Sequence, residues 1–293
     1  SHYAAMSSTS DALKYLWMKG IDILKQKDDE GMTPFHVACK YDNIEIVKFL
    51  CEKIAQEGDL KFETKLNMNY YNSRISTPLH IACTNGCVEI VKYILKNKEM
   101  KRNQMKSLNN ISKRPIDCAI EKGNLECVKL LVFAGKHNLI GYNRRHIPII
   151  DASYYGHVDI VSFLLKQKNI RIDAIDLENM NALRAAIRSN HLDVIKVLIE
   201  NGIGNKLDKE LIVNAFIDSF QKNDLEIVKY LDEKLDIPYD QMGSRFMNVA
   251  ISYENKNLVN FLLSKKCTFD DVNSYDNFRR KWTPFMTFLK EKG

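Results

Sequence analysis

A short motif that recurs along the chain constrains its fold more than any other feature of the sequence. Residues 31–39 read Gly-Met-Thr-Pro-Phe-His-Val-Ala-Cys, and residues 76–83 read Ser-Thr-Pro-Leu-His-Ile-Ala-Cys. An apolar run follows each copy, at 43–50 and at 88–95. Such self-similarity is typical of a repeat architecture, in which a unit buries its apolar face only by stacking on its neighbours.

Five weaker copies follow in register. When the Thr of the motif is the marker, the copies lie at 33, 77, 114, 147, 181, 214 and 245, with spacings of 44, 37, 33, 34, 33 and 31 residues. The later spacings indicate a period near 33, so the first gap carries about eleven extra residues and the second about four.

Each copy predicts two short helices. Thr favours the N-cap position, and Pro suits the first helical position because the N–H there has no partner within the helix. The apolar residues of 44–50 recur at helical spacing and form one broad stripe. A helix pair is therefore expected in every repeat.

The Thr-Pro-Leu-His-x-Ala motif at 77–82 and the period near 33 resemble the ankyrin-repeat family over roughly residues 11–290. The resemblance implies an all-α, ankyrin-repeat solenoid of helix-turn-helix units with short β-hairpin-like loops. About seven full repeats and two terminal caps are expected.

The domain organisation follows from the markers. We expect a tag remnant at 1–6, an N-terminal capping half-repeat at 7–30, seven repeats at 31–264 and a C-terminal capping partial repeat at 265–293. The repeats are expected to start near residues 31, 75, 112, 145, 179, 212 and 243.

Residues that could carry chemistry are explained by the repeat. By the resemblance, His36 and His80 form hydrogen bonds within and between hairpins. The seven cysteines include Cys39 and Cys83 at one motif position. Cys83 and Cys87 are four residues apart, but no second Cys/His pair has zinc-finger spacing. The sequence has no Gly-rich phosphate loop and no nucleophile motif. We expect no enzyme activity, no cofactor and no metal.

The location is predicted from what the sequence lacks. No run reaches the roughly 18 apolar residues of a membrane-spanning helix, and no signal region follows Met6. The odd cysteine count does not suggest a disulfide framework. We expect a cytoplasmic, monomeric protein without a transmembrane segment.

The resemblance implies binding on a concave face made by hairpin tips and first helices. The sequence therefore predicts a protein–protein interaction scaffold or adaptor, since Tyr and Arg at exposed positions dominate interface energetics. Packing of the tyrosines at repeat junctions is the alternative. The insertion at 57–71 is a further contact candidate. The predicted partner-binding residues are Tyr41, Lys122, Arg144, His146, Tyr154, Tyr155, Arg188 and Tyr253.

A basic segment supports a second hypothesis. The net charge is +6, and residues 92–114 hold eight basic residues and one acid. This segment starts on the second helix of repeat two and runs through the longer loop into the third repeat. It could bind an anionic partner, such as nucleic acid or an acidic membrane, or be a solvated face. Nucleic acid is disfavoured because no aromatic residue follows Tyr93 there. The candidate residues are Lys96, Lys98, Lys101, Arg102, Lys106, Lys113 and Arg114.

Overall fold

The computed structural model describes residues 1–6, 10–24, 26–56, 76–135, 145–222 and 225–267. Every element in these ranges is helical, which confirms the all-α class. The α-helices are α1 (His2–Met6), α2 (Asp11–Met18), α3 (Pro34–Lys40), α4 (Ile44–Gln56), α5 (Pro78–Asn85), α6 (Val88–Lys96), α7 (Lys98–Gln104), α8 (Pro115–Glu121), α9 (Leu125–Gly135), α10 (Pro148–Tyr154), α11 (Val158–Leu165), α12 (Ala182–Arg188), α13 (Leu192–Glu200), α14 (Lys209–Ser219), α15 (Leu225–Lys234), α16 (Tyr239–Ser252) and α17 (Lys256–Ser264). Short 3₁₀ helices lie at Ile203–Asn205 and Phe220–Lys222.

The chain divides into two compact units, Ser1–Arg171 and Ile172–Gly293, hereafter unit 1 and unit 2. In unit 1 the first helices of successive repeats pack in the order α3, α5, α8, α10, and the second helices in the order α4, α6, α9, α11. Side chains such as Leu79, Ile90 and Leu131 are fully buried between them. Burial of one such side chain contributes about 1.5–3 kcal/mol, so stacking supplies the apolar contact that a lone pair lacks.

The Thr-Pro motif determines where the first helices of unit 1 begin. Thr33 and Thr77 lie in extended backbone directly before α3 and α5, and Pro is the first residue of each helix. Pro is also the first residue of α8 and α10. These starts agree with the marker positions.

The segment 1–6, set aside above as a tag remnant, is helix α1 in the structure. It packs against α3, with Ala5 fully buried. The imidazole Nε2 of His2 donates to the carbonyl of Met32 at 2.8 Å. These residues therefore cover the outer side of the first repeat.

The extra residues before the third repeat form a helix, α7, where the sequence predicted a loop. The helix packs against α6, and Met100, Gln104 and Met105 are buried. The Gln104 side-chain carbonyl accepts from the Leu79 N–H at 3.0 Å, satisfying a donor in the first turn of α5. The inserted helix is part of the packed repeat.

Unit 2 starts its later repeats without the Thr-Pro motif. Helix α14 begins after Asp208, whose carboxylate accepts from the Leu211 N–H at 2.8 Å, and α16 begins after Pro238. The sequence markers at 214 and 245 consequently lie inside helices. Asp at the N-cap performs the capping that Thr performs in unit 1.

An aromatic cluster fills the interior of unit 2. The rings of Phe216, Phe220, Tyr239 and Phe246 meet edge to face, with centroids 5.1–6.1 Å apart. Each such pair contributes about 0.5–1.5 kcal/mol beyond the burial of apolar area. Aromatic packing therefore holds together the repeats in which the motif has decayed.

Candidate protein-interaction surface

The motif histidines have a structural role. The Nδ1 atoms of His36 and His80 accept from the N–H groups of Thr33 and Thr77 at 3.2 Å, and their Nε2 atoms donate to the carbonyls of Ser76 and Lys113 at 3.1 and 2.9 Å. Both ends of each ring are thus bonded, one within its repeat and one to the next. Burial lowers the pKa of each imidazole to about 4, which favours the neutral form. The expected hydrogen bonds within and between hairpins are confirmed.

An ion pair replaces the Thr–His pair in the third repeat. Arg114 donates from its backbone N–H, Nε and Nη2 to the carboxylate of Asp117, at 2.8, 2.9 and 2.6 Å. Nη2 also donates to the carbonyl of His146 in the next repeat at 3.3 Å. Arg114 is buried, so it does not join the basic surface for which the sequence proposed it.

The cysteines lie inside the fold. All seven are buried with free thiols. Burial raises the pKa of the thiols of Cys51 and Cys87 to about 12, so the nucleophilic thiolate is disfavoured. Within the ranges described above, no group of three His, Cys, Asp or Glu side chains could hold a metal ion.

Second helices begin with side chains that reach back to the preceding repeat. The Cys87 thiol donates to the Cys39 carbonyl at 3.1 Å. The Asn124 amide donates to the carbonyls of Cys83 and Thr84 at 2.8 and 3.0 Å. His157 Nε2 donates to the Glu121 carbonyl at 3.2 Å. His157 therefore belongs to the repeat junction.

Repeats three and four together form one exposed polar and aromatic surface. We call Lys113, Glu121, Lys122, Tyr154 and Tyr155 the Tyr155 surface. The Lys113 ammonium forms an ion pair with Glu121 and lies 5.9 Å from the centroid of the Tyr155 ring. Lys122 Nζ lies 3.3 Å from Glu121 Oε1. Burial opposes the charged form of Lys113, but hydrogen bonds to Glu121 and Tyr155 outweigh it and raise its pKa.

The Tyr155 ring is fixed on several sides. It meets the Tyr154 ring edge to face, with centroids 5.2 Å apart, and stacks on the His157 ring at 6.2 Å. Tyr154 is 55% exposed and Tyr155 is 36% exposed. A ring already held in one orientation loses little entropy when a partner binds.

His146 lies at the start of the fourth repeat and is half-buried. Its Nδ1 is 3.3 Å from the Asp151 carboxylate, and the hydrogen bond to Asp151 raises the imidazole pKa. Burial raises the pKa of Asp151, although the same hydrogen bond opposes that shift. His146 thus forms its contacts within the fold, through this pair and through its carbonyl.

The remaining predicted partner-binding residues have surroundings of their own. Tyr41 and Tyr253 are exposed at the ends of α3 and α16. Arg188 belongs to unit 2, where its Nη2 donates to Asp218 at 3.2 Å; Asp218 also accepts from Arg184 Nε at 2.6 Å. Arg144 and the insertion 57–71 lie outside the described residues.

The basic segment separates into an exposed ridge and residues that are half-buried or buried. Lys98, Arg102 and Lys106 are exposed at four-residue spacing along α7 and just beyond it, opposite the buried Met100 and Gln104. Lys96 is exposed at the end of α6, whereas Lys101 and Lys113 are half-buried. Residues four apart face the same side of a helix, so Lys98 and Arg102 form one ridge, and Lys106 follows two residues after the end of α7.

Sequence reasoning missed the pairing that organises the Tyr155 surface. Lys113 was assigned to the basic segment, and Glu121 was not among the predicted partner-binding residues. Both are half-buried residues of the third repeat, and Glu121 and Lys122 at the end of α8 are equivalent to Tyr154 and Tyr155 at the end of α10. That equivalence was the available signal, because residues at the same place in neighbouring repeats come together on stacking.

Stacked helix pairs with bonded junctions and an open side-chain surface define a helical repeat protein. A family description for ankyrin repeats matches in three segments, residues 1–61, 54–140 and 135–210. The chain belongs to the ankyrin-repeat family, whose repeats are generally protein–protein interaction modules. No helix in the described residues combines the length and apolar character needed to cross a bilayer.

Several known proteins are similar to this chain. Alpha-latrotoxin-Lg1a of Latrodectus geometricus is 24% identical over 194 residues, 54% of this chain but only 14% of the toxin's length. The probable 26S proteasome regulatory subunit p28 of Saccharomyces cerevisiae is 26% identical over 171 residues, 58% of this chain and 69% of that protein. The crystal structure of the human ASB11 ankyrin repeat domain superposes with a TM-score of 0.52 at 24% identity, covering 69% of this chain and 82% of that domain, which shows the shared fold.

Proposed function

We propose that this chain is a protein–protein interaction scaffold that binds a partner protein through the Tyr155 surface of unit 1. The observation that carries the proposal is the pair of exposed tyrosines held by neighbouring side chains. Tyr supplies a large contact area at low entropic cost and is enriched among residues that dominate interface energies. The name of the yeast relative describes a subunit of an assembly, which is in keeping with a binding role.

The structural roles of the reactive residues also support binding over catalysis. The motif histidines are bonded at both ring nitrogens, burial lowers their pKa to about 4, and the thiols are buried. Acid–base catalysis needs a titratable group that can reach a substrate. The proposal therefore assigns no catalytic residue, and a cytoplasmic location and a monomeric state remain predictions.

Photo-crosslinking tests the location of the interface. A benzophenone amino acid at position 154 should crosslink to a discrete protein in a nuclease-treated lysate, and Tyr155→Ala should abolish that crosslink. Position 133, an exposed aromatic on the second helix of repeat three, is the matched control. Equal crosslinking from positions 154 and 133, or a crosslink that survives Tyr155→Ala, would place the interface elsewhere.

The α7 ridge favours a second candidate, binding of an anionic partner. Lys98 and Arg102 are exposed on one side of α7 and Lys106 is exposed just beyond its end, so three positive charges lie close together along the chain. Binding through this ridge should weaken steeply with salt and with Lys98→Gln, Lys106→Gln. A complex that is insensitive to both would exclude it.

A further inference from the structure

We propose that the Tyr155 surface binds an acidic segment of a partner protein, and that Glu121 competes with the partner's carboxylate for Lys113 and Lys122. This inference rests on the proposed function and specifies the chemistry of the partner. In this inference, Glu121 takes the place of the partner's carboxylate on the two lysines when no partner is bound.

The arrangement of charges supports this assignment. One carboxylate, that of Glu121, lies between two ammonium groups, with Lys113 at Oε2 and Lys122 at Oε1. The neighbouring acid Asp117 is 1% exposed and is bound by Arg114, so it does not repel an incoming anion at the surface. The Lys122 side chain is 52% exposed, which makes it the accessible cation of the surface.

The energetic balance allows the exchange. An exposed ion pair contributes only about 0.2–1 kcal/mol, so Glu121 holds Lys122 weakly. A partner carboxylate that binds Lys122 exchanges one such pair for another. The exposed Tyr154 ring, which packs edge to face on Tyr155, offers apolar contact to a side chain of the partner.

The orientation of the rings favours a peptide over nucleic acid. Single-stranded bases bind on aromatic faces that allow successive stacking. The Tyr154 and Tyr155 rings are at 86° to one another, and Tyr155 already contacts the His157 ring and the Lys113 ammonium. Anionic membranes attract clusters of several basic residues, whereas this surface combines its lysines with a carboxylate.

Charge-matched probe peptides test the inference. We would measure, by fluorescence anisotropy, the binding of a labelled peptide of Glu, Phe and Gly and of the same peptide with every Glu replaced by Gln. Glu121→Gln should tighten binding of the Glu peptide by about twofold to fivefold, the range expected for one exposed ion pair. Lys122→Gln should weaken it by a similar factor, and the Gln peptide should respond to neither change.

Lys129→Gln is the matched control, because Lys129 pairs with Glu126 on the second helix of the same repeat. It should leave both affinities unchanged. Thermal melts of all variants report whether the fold is retained; Glu121→Gln keeps the backbone carbonyl that His157 binds.

Three results would overturn the inference. They are unchanged or weaker binding of the Glu peptide to Glu121→Gln, equal binding of the two peptides, and displacement of the Glu peptide by a short single-stranded RNA or by anionic vesicles at the same concentration of charge. If the photo-crosslink from position 154 persists while the peptide test fails, the interaction surface stands and only the acidic chemistry falls. Absence of any crosslink from position 154 in the chain that keeps Tyr155 would contradict the proposed function itself.

Discussion

At the scale of single residues, different side-chain pairs perform the same task at the start of the first helices. Thr77 and His80 do it with neutral groups, whereas Arg114 and Asp117 use opposite charges. Asn181 caps α12 through its Oδ1, but its Nδ2 is buried without a hydrogen bond in the described chain. The residue three positions further on is Arg184, whose side chain is a donor and cannot accept from Nδ2. The fold therefore requires hydrogen bonds at these helix starts, but different side chains can form them.

Removal of one partner of the buried ion pair should be costly. Arg114→Ala leaves the Asp117 carboxyl group buried without its partner, so the free energy of unfolding in urea should fall by about 3–5 kcal/mol. The double variant Arg114→Thr, Asp117→His recreates the pair found in the second repeat and should recover most of that loss. A loss below about 1 kcal/mol for Arg114→Ala would contradict the structural role given to this pair.

At the scale of helices, the turns after α3, α5, α8, α10, α12 and α16 each contain a residue in the left-handed conformation. Gly86 and Gly123 supply it without strain, and their missing side chains admit Asn124 and His157 from the next repeat. Glu254 takes the same conformation, with φ at 52°, after α16. A residue with a Cβ is disfavoured there by roughly 1–2 kcal/mol.

Glycine substitutions at equivalent turns should therefore have opposite effects. Glu254→Gly should raise the free energy of unfolding by about 0.5–1 kcal/mol, the relief of strain being partly offset by a more flexible unfolded chain. Gly123→Ala should lower it, because the new Cβ would lie 2.8 Å from the His157 ring. Chemical denaturation of both variants checks the pair, and destabilisation by Glu254→Gly would refute the argument from strain.

The helices that sequence reasoning placed correctly are those with local signals. Thr and Pro mark α3 and α5 whatever surrounds them. Helix α7 was missed because its core residues, Met100 and Gln104, gain their contacts from other segments, including the N–H of Leu79. The exposed tyrosines were predictable because the motif alone indicates their positions. The grouping of Lys113, Glu121 and Tyr155 was not predictable, because it forms only when two repeats stack.

At the scale of the whole molecule, the division at Arg171 separates two ways of stabilising a repeat. Unit 1 contains the buried neutral histidines of the motif, and unit 2 contains the aromatic cluster. The sequence motif decays toward the second unit but gives no boundary, because both units share the same period. Arg188 belongs to unit 2, whereas the Tyr155 surface belongs to unit 1.

This difference predicts a pH response concentrated in unit 1. The folded pKa of His36 and of His80 is about 4, below the unfolded value near 6.5, so their contribution is complete above pH 6.5 and is lost as the pH falls toward 4. Each histidine should lower the free energy of unfolding by on the order of 1 kcal/mol for every pH unit of acidification in that range. Hydrogen exchange corrected for intrinsic rates, at pH 7 and pH 5, should show protection falling more in α3 and α5 than in α14 and α16.

His36→Gln with His80→Gln provides the control for this experiment. The double variant should be less stable at pH 7, and the pH dependence of unit 1 should flatten because the titrating groups are gone. Equal loss of protection in both units of the native protein would show that other groups govern the acid response.

The hydrogen bonds at the repeat junctions also bear on how such a chain can evolve. Cys87, Asn124 and His157 occupy equivalent positions, yet each meets a different receiving turn. A duplicated or transposed repeat would bring its side chain to a turn shaped for another, as when an imidazole arrives where an amide fits. Each junction side chain therefore fits the repeat that now precedes it. Rearrangement of the gene by whole repeats would require matching substitutions on both sides of every new junction.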